Sequence, residues 1–193
     1  MNRLTVALFT TADANSALVL QPYLDSANAL LKPFDMAVEV FSTGGANGAP
    51  RALPYTGVVL DMPGDPGSVR QMAHAAVPNG RGIPVIFCKR QTDDTRGSGF
   101  EFGSTILTSS PVNNGVGWLP YILINTQLKS STNEVLVHEM IHASYGESQP
   151  GHDTDPSSVF FKYGSESAAG AVARKLPPIH AGALRRSYFS VFA

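Results

Sequence analysis

Residues 4–10 read LTVALFT, residues 36–41 read MAVEVF, and between them residues 20–34 read LQPYLDSANALLKPF. The two outer runs are short and rich in β-formers, the second alternating through Val38 and Val40, so both predict strands. The inner run sets Leu20, Tyr23, Leu24, Ala27, Leu30, Leu31 and Phe34 at i, i+3, i+4, i+7 spacing, with Pro22 at an early helical position. It predicts an amphipathic helix. Strand, helix and strand in that order form a βαβ unit, whose right-handed crossover makes the two strands parallel. The fold class is therefore α/β or α+β rather than all-helical or all-strand.

Working outward, residues 56–61 form a third apolar run, and residues 66–76 predict a short helix with Val69, Met72, Ala73 and Ala76 on one side. Residues 83–88 predict a fourth strand and residues 121–125 a further buried one. Residues 91–118 are rich in Gly, Ser, Thr and Asn, with one β-like island at residues 105–108. A strand with such flanks suits a sheet edge better than its middle. The expected architecture is a mixed, mainly parallel sheet of four or five strands with helices on its faces. No internal repeat or low-complexity segment interrupts it.

The chain has 193 residues, 43% of them hydrophobic, with 14 Lys+Arg against 15 Asp+Glu. That length supports one domain with a sizeable core, and the near-zero charge gives no footprint for nucleic acid or an anionic membrane. Cys88 is the single cysteine, which rules out an intrachain disulfide and a cysteine zinc ribbon. No run approaches the roughly 18 apolar residues that span a bilayer. The stretch from Met1 to Phe9 lacks the apolar core of a signal peptide, so a soluble protein is expected, with secretion left open.

Chemistry concentrates downstream. Ser131 to Glu134 spells Ser-x-x-Glu, the pattern of a capping box, and predicts a helix from about Thr132 to Tyr145, stopped by Gly146. His138 and His142 then lie one turn apart and project from the same side. The run HEMIH matches HExxH, in which two helical histidines bind zinc and the intervening glutamate, here Glu139, activates water. A catalytic zinc also needs a third protein ligand and an open position. His152 and Asp153 follow a polar, turn-forming stretch that can bring the chain back to the helix.

The continuation from His152 through Asp155, Pro156 and Phe160 resembles that of the metzincin metallopeptidases, and of their matrixin-like branch in particular. The resemblance covers residues 131–163. It implies a zinc endopeptidase holding one catalytic ion on His138, His142 and His152, with Glu139 as general base and a peptide or protein as substrate. It further implies one catalytic domain over residues 1–193, divided into an N-terminal subdomain, 1–146, and a small C-terminal subdomain, 147–193. This sequence departs from the family pattern in three places. Tyr145 stands where the family has glycine, the third histidine comes about four residues late, and Phe160 or Phe161 replaces the methionine of the turn beneath the metal. Tyr163 resembles the turn tyrosine of the astacin and serralysin branches, which implies an oxyanion-stabilising hydroxyl.

Other readings stay open. Glu166, in a helix predicted over residues 165–175, is placed as the third ligand of a gluzincin peptidase would be, and Asp153 is a further alternative. Asp155 is read as a turn residue before Pro156. The rival to an enzyme is a noncatalytic zinc-binding interaction or toxin module, although a purely structural zinc is more often closed by four protein ligands. His74 and His180 are read as structural or exposed, Cys88 as a buried inert thiol. The Gly-rich residues 43–49 lack a nucleotide-binding signature. Residues 105–108 are the edge expected to pair with an extended peptide.

Overall fold

The βαβ unit expected over residues 4–41 is present in a computed structural model, which describes residues 1–14, 20–41, 50–56, 58–60, 82–91, 103–106, 120–126, 133–146, 150–161 and 174–192. Strand β1 spans Asn2–Thr11, helix α1 Gln21–Leu31, and strand β2 Met36–Phe41, parallel to β1 from Asn2↔Met36 to Ala7↔Phe41. Pro22 sits in the first turn of α1. The α-helix ends before the predicted limit because Pro33 has no N–H to donate, and Lys32–Phe34 tightens into a 3-10 turn.

Three further strands complete the main path: β5 at Ile83–Gln91, β6 at Gly103–Ile106 and β7 at Tyr121–Asn125. The order is β2-β1-β5-β7-β6, parallel except that β6 runs antiparallel to β7. Among the described residues this path has five strands, within the expected four or five, and β6 ends it. Short strands β3 (Arg51–Leu53) and β4 (Val58–Leu60) add parallel to β1 and β5, and β8 (Ser190–Phe192) adds antiparallel to β1. Neither β3 nor β8 was anticipated, since three residues are too few to show an alternating pattern. The edge strand lies two residues earlier than expected. The helix expected over residues 66–76 lies outside the described residues.

Alternation along the central strands gives each face its own core. Leu4, Val6, Leu8, Val85, Phe87, Ile122 and Ile124 join one cluster with residues of the helices, while Ala7, Phe9, Ile86, Cys88, Tyr121 and Leu123 form another with Leu53. Cys88 is fully buried, as read from its place in a strand. Helix α2 spans Val135–Tyr145 and α3 Pro178–Arg186, and both contribute to the first cluster with α1. Burying Leu136, Val137, Met140 and Ile141 stabilises the position of α2 by about 1.5–3 kcal/mol each.

The start of α2 differs from the expected capping box. Glu134 is the N-cap, makes no capping side-chain bond, and directs its carboxylate to the buried Arg174 guanidinium, 3.6 Å away. The stop is as expected: Gly146 adopts φ 59, ψ −138, a conformation open essentially to glycine, and its N–H bonds to the His142 carbonyl. At the end of the helix predicted over residues 165–175, Lys175 instead bridges Ser158 in extended conformation; residues 165–173 lie outside the described set. Among the described residues no helix is long and apolar enough to cross a membrane.

Candidate metal centre

One turn of α2 separates His138 from His142, and the chain returns after Gly146 to place His152 against both. The Nε2 atoms form a near-equilateral triangle: 3.1 Å from His142 to His138, 3.1 Å from His142 to His152, and 3.3 Å from His152 to His138. The Nδ1–H of His138 donates to the Val159 carbonyl at 2.9 Å, which leaves Nε2 with its lone pair facing the other two rings. Burial, followed by the neighbouring charge of His142, pushes His138 down to about 3, so its imidazole is neutral at ordinary pH.

Three ring nitrogens cannot satisfy one another around a triangle when one of them carries no hydrogen. A shared cation can. Tetrahedral zinc with Zn–N of about 2.0–2.1 Å requires ligand nitrogens about 3.3–3.4 Å apart, close to the spacing here. Among the described residues, His138, His142 and His152 are the group able to hold a metal ion.

The second candidate ligand, Asp153, is engaged elsewhere. Its carboxylate meets His180 Nε2 at 3.1 Å and takes the Ser158 hydroxyl. Asp155 is the turn residue expected: it is exposed, accepts the Ser157 N–H at 2.8 Å, and is held below the usual carboxylate range by its bonds to Ser157. Tyr163, Glu166 and His74 lie outside the described residues.

Beneath the triad lies Phe160, fully buried. Its ring centroid is 4.7 Å from that of His142, 5.1 Å from His152 and 5.3 Å from His138. Phe161 is partly exposed and pairs through its backbone with Asp153. Glu139, 5% exposed, turns toward β6, where the Thr105 hydroxyl lies 2.8 Å from Oε2.

His180 is buried, the structural one of the two alternatives read for it. It lies on α3, 2% exposed, between Asp153 and the Tyr145 hydroxyl, which is 2.8 Å from Nδ1. The sequence did carry a signal for this helix. Pro178 occupies its first turn, His180, Ala181 and Leu184 make a buried face, and Arg185 and Arg186 lie in its last turn, favourable to the helix dipole. Thr105 and Ser158 had no such signal, because a lone hydroxyl acquires a role only from what the fold sets beside it.

No protein-family model matches the chain, and no curated protein matches it. Among solved structures it is similar to an archaemetzincin from Methanopyrus kandleri, with a TM-score of 0.53 and 11% identity, over 95% of this chain and 94% of that one. It also aligns with an archaemetzincin from Archaeoglobus fulgidus, at a TM-score of 0.42 and 14% identity, over 93% of this chain and 99% of that one. The first likeness is one of fold: this chain shares the mixed α/β architecture of the Methanopyrus kandleri archaemetzincin.

Proposed function

We propose that the protein is a metzincin-like zinc endopeptidase, and the observation that carries this reading is the triangle of Nε2 atoms with Glu139 on the same helix. His138, His142 and His152 would hold the ion. Bound there, zinc supplies Lewis acidity that acidifies water toward neutrality and polarises a carbonyl. Glu139 takes the proton from the attacking water on a carboxylate oxygen and returns it to the leaving amine, acting first as base and then as acid. Thr105 supports that carboxylate through its hydroxyl.

The position of β6 supports a peptide or protein as the substrate class. That strand ends the main path of the sheet among the described residues, carries Thr105 beside Glu139, and so offers an edge on which an extended peptide can add by main-chain pairing. Phe160 takes the place of the family's turn methionine, giving the three imidazoles an apolar floor. The domain extent of residues 1–193, and Tyr163 as an oxyanion donor, remain part of this proposal by resemblance.

The test is zinc content together with cleavage of casein or a peptide library, with and without a chelator. One zinc per chain and chelator-sensitive cleavage are expected. Glu139→Gln should keep zinc and lose a factor of about 10² or more in turnover. Bound zinc with no cleavage by the wild type would favour the noncatalytic binding module instead.

A further inference from the structure

Residues 150–161 supply three parts of the centre at once: His152 itself, the Val159 carbonyl that orients His138, and the Phe160 ring. A set of polar side chains outside the triad converges on this segment. The Asp153 carboxylate accepts from His180 Nε2–H, at 3.1 Å to Oδ2 and 3.2 Å to Oδ1, and from the Ser158 hydroxyl. Ser158 Oγ accepts the Phe160 N–H at 3.0 Å, and the Asp153 N–H donates to the Phe160 carbonyl at 3.1 Å. On its other side, His180 Nδ1 lies 2.8 Å from the hydroxyl of Tyr145, the last residue of α2.

Desolvation raises the Tyr145 ionisation above its ordinary value, so the hydroxyl keeps its proton. A carboxylate only accepts, so the hydrogen on His180 Nε2 is the one that faces Asp153. A buried imidazole is thus bonded at one nitrogen to the neighbour of a ligand, and at the other to the end of the helix that carries the remaining two.

We infer that His180, together with Asp153 and Tyr145, is a positioning set that holds residues 150–161 against α2 in the register at which His152 meets His138 and His142. The inference rests on the zinc reading above. None of the three side chains belongs to the Nε2 triangle, so the set acts through the backbone and rings it anchors. Partners one step removed from a metal commonly influence affinity by 10- to 100-fold when removed.

A packing role is the rival, because the His180 ring also lies 4.7 Å from that of Phe160. Two substitutions separate the roles in opposite directions. His180→Phe keeps ring volume and the Phe160 contact but loses both hydrogen bonds. His180→Gln loses the ring but keeps an N–H that can reach Asp153. Zinc affinity by chelator competition, the visible spectrum of the cobalt-loaded protein, and unfolding of the metal-free chain are the readouts.

Positioning predicts a 10- to 100-fold loss of zinc affinity and an altered cobalt spectrum in His180→Phe, with His180→Gln within a few-fold of wild type. Packing predicts the reverse order, and that order, or equal affinity in both variants and wild type, overturns the inference. Should His180→Phe fail to fold, Tyr145→Phe decides. A several-fold weaker affinity at unchanged unfolding temperature supports the inference, and unchanged affinity overturns it. A wild type that takes up no zinc would remove the metal reading and this inference together.

Discussion

The hydroxyl of Thr105 lies 2.8 Å from Oε2 of Glu139 and 2.7 Å from the main-chain carbonyl oxygen of the same residue. One proton serves two acceptors, so the side chain on the edge strand and the carboxylate on the helix are joined at a single atom. Thr105→Val removes the hydroxyl at nearly constant shape. The expected result is about a tenfold fall in kcat, the scale of one hydrogen bond to a charged group, with zinc content and KM unchanged. Thr105→Ser should restore it. Unaltered turnover in the valine variant would leave the contact a purely structural one.

The third ligand is tested by zinc stoichiometry across His152→Ala, Asp153→Ala and Glu166→Ala. The triangle of Nε2 atoms predicts that His152→Ala abolishes stoichiometric binding, because two imidazoles on one helix turn cannot close the site. Asp153→Ala should bind with 10- to 100-fold lower affinity, since it disconnects His180 from the loop. Glu166→Ala should bind as wild type does. Zinc retained by His152→Ala and lost by Glu166→Ala would move the site to the gluzincin arrangement.

What the sequence made legible follows the range of the forces involved. Periodicity sufficed for β1, α1, β2 and β7, where many side chains repeat one choice of face, and a local spacing sufficed to set His138 and His142 on one side of α2. Glu134 shows the limit. Ser-x-x-Glu reads as a capping box, but Glu134 is itself the N-cap and its carboxylate pairs with Arg174, forty positions on. His180 could be read only as structural or exposed, because its partners Tyr145 and Asp153 become its neighbours through the packing of α3 on α2. Phe160 was legible only as one of two apolar candidates, with Phe161; its contact with all three rings was not legible.

Gly146 gives a test of the helix stop that is independent of metal. At φ 59 and ψ −138 a Cβ has open space around it, so any cost of substitution comes from the backbone. Gly146→Ala is expected to lower stability by about 1–3 kcal/mol, read from chemical unfolding of the metal-free chain. An alanine variant as stable as wild type would show that the backbone relaxes there without cost.

Phe160 separates support from bulk. Its ring is fully buried and stands within 4.7–5.3 Å, centroid to centroid, of all three imidazoles. Phe160→Ala should destabilise by about 3–5 kcal/mol through the cavity it leaves, and should weaken zinc binding because the rings lose the surface against which they are set. Phe160→Met replaces the ring by a flexible apolar chain of comparable reach, at an expected cost below about 1.5 kcal/mol. If the floor need only be apolar and filled, the methionine variant should bind one zinc with affinity within a few-fold of wild type. The angles make a sharper outcome available: the Phe160 plane is within 28° of His152 but at 60° to His142, so the ring stacks on one imidazole alone of this pair. A methionine variant that folds normally yet loses zinc affinity as severely as alanine would show that this stacking, and not apolar filling, holds His152 in place.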